Sequence, residues 1–187
     1  MEPVEITAGA LHLRSWRPGD DARVLEACQD PDTQRWTTVP VPYTAEHARA
    51  YVEEQVPSGW AAGDVMTFAV CDSTNGTPLA SICLNREEGD RFEVGFWAHP
   101  DARGRGVMTD AVRTVCRWAF AELGAARIEW LAEVGNHASR RVAEKAGFTV
   151  EGVARSRLMH RGTRVDAWTA ARLPQDPDGD TGTGPQP

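Results

Sequence analysis

Apolar positions along this chain follow two periods, and the switches between them divide it into elements. Stretches rich in branched and aromatic residues at 11–16, 66–71, 79–84, 92–98, 128–133, 150–158 and 165–173 read as strands. Helical spacing is strongest after residue 106, where Met108, Ala111, Val112, Val115, Cys116, Ala119 and Leu123 recur on one face. Shorter helices are expected at 21–28 with Asp20 as N-cap, at 45–55 behind Thr44, and from Asn136 to Ala146, where Gly147 closes the last turn. Pro31, Pro40 and Pro42 mark 30–42 as irregular, and Pro57 is expected to end the second helix. Asn75–Gly76 is a hairpin signal, so the second to fourth strands form an antiparallel meander, and 161–163 turns the last pair. The pattern predicts a single α/β (α+β) domain over 1–173, a mixed sheet of six to seven strands flanked by helices. From Pro174 the composition turns to Pro, Gly, Thr and Asp without an apolar anchor, and 174–187 is expected to be a disordered tail.

The junction between the strand at 92–98 and the long helix carries the candidate chemistry. Pro100 ends the strand, and Arg103–Gly104–Arg105–Gly106 leads into Val107 and Met108 at the helix start. Glycines allow close backbone approach, first-turn N–H groups point outward, and the helix dipole favours an anion there. The two arginines add charged donors. The alternatives are an ordinary turn with solvated arginines and a dinucleotide loop. The latter fits poorly, since Thr109 stands where the third small residue belongs, and a P-loop lacks its Gly–Lys–Ser/Thr.

Here the sequence resembles the GNAT superfamily of N-acetyltransferases. Arg103-x-x-Gly106-x-Met108 is similar to the acetyl-CoA pyrophosphate loop Gln/Arg-x-x-Gly-x-Gly/Ala, with Met108 a departure at the last position. Asn136-x-x-Ser139, followed by Lys145-x-Gly147-Phe148, resembles a helix of the same superfamily, above all its Rim-type branch of protein N-terminal acetyltransferases. The resemblance implies a GNAT fold whose fourth and fifth strands splay apart. It implies that Arg103, Gly104, Arg105, Gly106, Val107 and Met108 hold the cofactor's pyrophosphate, and that Phe96, Trp97 and Ala98 pair with its pantetheine arm. A bulge near Gly95 would begin the splay, and a free N–H at Trp97 or Ala98 would face the oxyanion. Asn136 would bond the cofactor or cap its helix, and Ser139 would give the departing thiolate a proton or bond only its own first turn.

Attack by an amine calls for a general base. Glu93 on the central strand is the first candidate, with Glu133 and Asp166 as further carboxylates; Leu158 stands where the Rim-type branch carries a glutamate. The resemblance places the acceptor surface in the helix–loop–helix region, where Trp36, Tyr43 and Trp60 either line it or pack on the sheet. The implied function is transfer of an acetyl group from acetyl-CoA to a primary amine, a protein N-terminus or a small molecule, by direct attack on the thioester. Alternatives are another donor such as succinyl-CoA, or a non-catalytic acyl-CoA sensor. Relatives of this kind are often homodimers.

Composition narrows the classes further. Hydrophobic residues make up 41% and charged residues 25%, ordinary for a globular domain. A net charge of −7 argues against nucleic acid as a partner. No stretch approaches the ~20 apolar residues of a membrane helix, and the acidic N-terminus has no apolar leader, so a cytoplasmic protein is expected. Cys28, Cys71, Cys83 and Cys116 form no C-x-x-C pair and read as free thiols in a reducing compartment. The five histidines lack metal-ligand spacing, and no metal is expected.

Overall fold

The structure, a computed structural model, describes residues 1–179. The strands are β1 (Ile6–Ala8), β2 (Leu11–Arg14), β3 (Val65–Asp72), β4 (Pro78–Arg86), β5 (Arg91–Ala98), β6 (Arg127–Glu133), β7 (Thr149–His160) and β8 (Thr163–Arg172). They form one sheet in the order β1-β2-β3-β4-β5-β6-β8-β7, antiparallel throughout except where β5 runs parallel to β6. The helices are α1 (Asp21–Gln29), α2 (Pro31–Trp36), α3 (Ala45–Ala50), α4 (Val56–Ala62), α5 (Val107–Glu122) and α6 (His137–Lys145). The sheet has one strand more than its apolar period predicts. β1 is only three residues long, too short for a period to show, none of them buried, and its ladder is to β2.

Helix boundaries differ from expectation where capping outweighs the usual reading of proline. Pro31 starts α2 instead of breaking the chain, because it occupies the first turn, where its missing N–H costs nothing, and the Asp30 side chain accepts the Thr33 N–H. Pro57 likewise sits in the first turn of α4, which continues from α3 through a π-helical stretch at Tyr51–Gln55. Asp20 caps nothing with its side chain. Its carboxylate instead pairs with Arg14 at 2.7 Å and accepts the Arg17 N–H.

The core is built by α5, whose buried face includes Met108, Ala111, Val112, Val115, Cys116 and Ala119, against β2, β4 and β5. Trp60 of α4 meets Phe68 edge-on at 5.0 Å, and Trp118 of α5 meets the same ring at 5.4 Å. Along β6, buried Ile128, Trp130 and Ala132 alternate with less buried neighbours. Cys28, Cys71 and Cys116 are buried, Cys83 is half-buried, and all four are free thiols.

The segment expected as a disordered tail begins with six residues, 174–179, packed on this body. Asp176 accepts the Leu173 N–H, the Asp178 carbonyl accepts from Arg113, and the Asp178 carboxylate pairs with Arg172 and Arg117. Positions 180–187 of that tail lie outside the described residues. Arg172 is only 2% exposed, so its charge relies on that carboxylate, and Arg172 in turn holds the Asp178 carboxyl below its ordinary range. Asp178→Asn is therefore expected to destabilise the domain by about 1–3 kcal/mol in urea unfolding near neutral pH. The deficit shrinks as pH falls through the lowered pKa of the parent carboxyl, since protonation then removes the same ion pair.

Candidate active site

The site originates in a split of the sheet. β5 and β6 pair over three residues only, Arg91–Glu93 against Arg127–Glu129. β5 then follows β4 as far as Ala80 opposite Ala98, while β6 follows β8 as far as Glu133 opposite Ala167. Past Glu93 the two strands share no ladder, and a cavity of about 850 Å³ opens between them. The expected splay is present, but not the expected bulge: the β4–β5 register is continuous past Gly95. Gly95 instead permits a close approach, since a Cβ there would lie 3.2 Å from Cys83 Sγ.

Register decides which main-chain groups face the cavity. The His99 N–H donates to the Leu79 carbonyl, so by antiparallel alternation the odd-numbered residues of β5 bond β4. The N–H and C=O groups of Val94, Phe96 and Ala98 therefore face the gap, an unfilled edge on which an amide-bearing ligand can lie like an added strand. Of the residues expected to contact pantetheine, Phe96 and Ala98 present main-chain groups there. Trp97 directs its own toward β4 and stacks its ring on Trp16 at 5.7 Å.

At the outer end of the cavity lie Arg103, Gly104, Gly106 and the first turn of α5, Val107, Met108 and Thr109, with Arg141 and Lys145 of α6 beside them. Gly104 and Gly106 have φ of 74° and 81°, left-handed values that a side chain strains to adopt. Gly106 is the N-cap and brings no side chain to block the turn, and the first intrahelical bond comes from Asp110. The amides of 107–109 thus point outward without helical partners. The Arg103 side chain turns away from them, pairing with Asp30 and Asp32 and donating to Thr33 at 3.0 Å. Although partial burial works against it, this contact keeps the Asp30 carboxyl below its usual range. Arg103 thereby ties α2 to the loop, and Arg105 donates to the Asp101 carbonyl at 3.4 Å.

Ser139 and Asn136 lie where β6 meets α6. Asn136 Oδ1 accepts the Ser139 N–H at 3.2 Å, and Ser139 Oγ accepts from Trp130 Nε1 at 3.1 Å. The cap is thus made by Asn136, and the serine hydroxyl is oriented by an indole from the strand below. Because Oγ is the acceptor in that bond, its own hydrogen is available to the cavity it lines.

The carboxylates separate clearly. Glu93 is absent from the cavity lining; it stands in register between Asn85 and Glu129, and burial, with Glu87 nearby, raises its pKa. Asp166 accepts the Ser156 N–H at 2.8 Å and pins an irregularity where four residue steps of β7, Ala154 to Leu158, oppose two of β8. Glu133 does reach the cavity, but both oxygens are engaged. Arg35 donates to them at 2.7 and 3.0 Å, and His160 Nδ1 lies 2.7 Å from Oε2. Arg35, and after it His160, hold Glu133 below the ordinary carboxylate range. Among the described residues His160 Nε2 is buried without a partner, on a residue that lines the cavity beside Leu158 and Met159. No sequence signal marks His160 and Arg35, because the β6–β8–β7 arrangement brings the first to Glu133 and the packing of α2 brings the second. Of the three aromatics, Trp36 lines the cavity and Tyr43 and Trp60 are core.

A family model described as an acetyltransferase (GNAT) domain matches residues 10–149. YdaF of Bacillus subtilis (strain 168), a candidate ribosomal N-acetyltransferase by name, is 40% identical over 76 residues, 41% of this chain and 42% of that protein. The matched region thus spans less than half the length of that relative. Among solved structures, a GNAT-family acetyltransferase from Bacillus anthracis superposes with a TM-score of 0.81 at 23% identity, covering 91% of this chain and 98% of the other. Mycobacterium smegmatis RimJ, solved with CoA-disulfide, gives 0.78 at 20% identity, covering 94% and 89%. Both are likenesses of fold.

Because Glu93 lies off the cavity with a raised pKa, Glu93→Gln is expected to raise the melting temperature at about pH 7, where the parent must carry a half-buried charge. It is expected to make no difference at about pH 3, where the carboxyl is protonated folded and unfolded. Thermal scans of the two proteins at both pH values check this.

Proposed function

The chain belongs to the GNAT acetyltransferase family, and from that premise we propose that it transfers an acetyl group from acetyl-CoA to a primary amine, on a small molecule or a protein N-terminus, by direct attack on the thioester. The observation that carries this reading is the cavity itself. Outward-facing amides and cationic side chains at one end, the strand-like edge of β5 along its length, and the Ser139 hydroxyl within it match a ligand that is in turn phosphate, diamide and thioester.

The main-chain groups of residues 104–109 take the pyrophosphate, with Arg141 and Lys145 supplying counter-charge. The pantetheine amides pair with Phe96 and Ala98, which fixes the thioester at the inner end of the cleft. An unpaired N–H on that edge of β5 stabilises the oxyanion as the amine adds to the carbonyl carbon. The C–S bond then breaks, and the thiolate accepts a hydrogen bond from Ser139. A thiolate with an ordinary pKa near 8.5 leaves with modest help, so Ser139 accelerates the reaction without being indispensable. Glu93 has no part in these steps.

Isothermal titration with acetyl-CoA tests the binding half. The parent is expected to bind, and Gly106→Val, which cannot adopt a φ of 81° without strain, to bind at least about tenfold more weakly while keeping its fold. Absence of binding by the folded parent sinks the reading, and binding without CoA release over a panel of amines makes the domain a sensor. Ser139→Ala is expected to lower kcat with little change in acetyl-CoA affinity, read from thiol release.

A further inference from the structure

At the inner end of the cavity, Glu133 and His160 line the wall and Arg35 backs Glu133, three side chains from three distant parts of the chain. Arg35 of α2 clamps Glu133 at the end of β6, and Glu133 in turn meets Nδ1 of His160 at the end of β7. Glu133 and His160 are 17% and 15% exposed at their side chains, so both are largely out of water. The carboxylate is held ionised chiefly by Arg35, and an ionised carboxylate can only accept hydrogen bonds. The hydrogen between them therefore sits on Nδ1. In the neutral imidazole this leaves the lone pair on Nε2, and that atom is buried, unpartnered and part of a residue lining the cavity.

A buried ring nitrogen without a partner is costly unless a ligand supplies one. We propose that His160 Nε2 is the general base for the acceptor amine, that Glu133 is the positioning residue that fixes its tautomer, and that Arg35 holds Glu133 in place. This rests on the acyl-transfer reading above and supplies the step which that reading leaves without a residue. As the amine nitrogen bonds to the thioester carbonyl carbon, its proton passes to Nε2. The C–S bond breaks with its electron pair on sulfur. The imidazolium then returns its proton to solvent, and the thiolate takes one from solvent through the Ser139 hydroxyl. Glu133 does not itself take the proton, because Arg35 stabilises its charged form. Its negative charge stabilises the imidazolium formed next to it.

The same placement defines the acceptor side. Trp36 ends α2 and Val39 follows it, Leu158 and Met159 precede the histidine, and Val165 comes from β8, so the walls beside His160 are mainly apolar, with Thr37 and Thr38 their hydroxyl-bearing members. Such walls favour the uncharged amine over its ammonium form.

The test uses the full chain, with acetyl-CoA as donor and a panel of free N-terminal peptides, polyamines and hydroxylamine as acceptors. His160→Gln keeps an amide able to bond Glu133 but cannot take a proton. It is expected to lower kcat at least about a hundredfold, with the acetyl-CoA dissociation constant within about twofold of the parent's. Imidazole added to His160→Ala is expected to restore part of the rate, which a merely structural role would not allow. Nitrogen-15 spectra of histidine-labelled protein are expected to show Nδ1 protonated and Nε2 bare, and Glu133→Gln to shift that balance. A kcat for His160→Gln within about threefold of the parent, or a ring protonated at Nε2 alone, overturns the proposal and leaves acyl transfer standing. Absence of CoA release by the parent with every acceptor overturns acyl transfer, and this proposal with it.

Discussion

Everything specific to this fold follows from a ladder that stops after three residues. β5 and β6 are parallel neighbours, and parallel strands have no reason in their own geometry to part. Here each strand keeps its other neighbour, β4 or β8, so the sheet divides into two blocks hinged at Arg91–Glu93. The even-numbered main-chain groups of β5 lose their partners from Val94 onward. Backbone groups left unpaired away from water are expensive, which makes this edge a place for a ligand rather than a place to pack. The stretch from Phe96 to Ala98 leads directly to His99 and the turn that holds Gly104 and Gly106. A ligand bonded to the open edge is thereby delivered to the start of α5.

A divided sheet also needs ties across the division. α5 packs beneath β4 and β5 and contacts α6, which covers β6. Trp130 of β6 bonds Ser139 of α6, while Arg35 of α2 bonds Glu133 of β6. Arg103 joins the Gly104–Gly106 loop to the same α2 through Asp30 and Thr33. α2 is six residues long and would not persist alone in water. It is held by charge-assisted contacts at both ends, Asp30 at its start and Arg35 near its finish, and those contacts lead to opposite ends of the cavity. The position of α2 is therefore coupled to the loop before α5 and to Glu133 together.

Legibility from sequence followed periodicity. The strand at 92–98, the Arg103–Met108 loop, α5 and the Asn136 cap carry period or composition signals spanning many residues, and each has its counterpart in the structure. The misreadings fall where one residue has two meanings. Pro31 and Pro57 read as breakers and stand as first-turn residues. Asp20 holds the N-cap position of α1 as expected, but its side chain is spent on Arg14 and the Arg17 N–H. Gly95 reads as a bulge and is a point of close approach to Cys83. Asp166 resembles a catalytic carboxylate in type and region, but its geometry makes it the clamp of the Ser156 irregularity. Glu133 and His160 are 27 residues apart and lie on strands separated by β8, a relation with no period to reveal it.

The end of the cavity around His160 is the least legible for the same reason. It is assembled from the close of α2, the loop after it, and the tip of the β7–β8 hairpin, segments from opposite ends of the chain. Arg161 at that tip, with φ of 47°, donates to the Gln34 carbonyl at 2.6 Å and to the Val39 carbonyl at 3.4 Å. That contact fastens the hairpin onto the α2 region just beyond Arg35 and Trp36, while His160, the preceding residue, is held by Glu133. Two adjacent residues of one hairpin thus reach α2, one directly through its main-chain carbonyls and one through the shared carboxylate that Arg35 clamps. A change in the length of that hairpin or of the loop at 37–39 would move the apolar walls and the histidine together. The end of the cavity at Glu133 and His160 is therefore set by these few contacts, whereas the other end is set by the loop before α5.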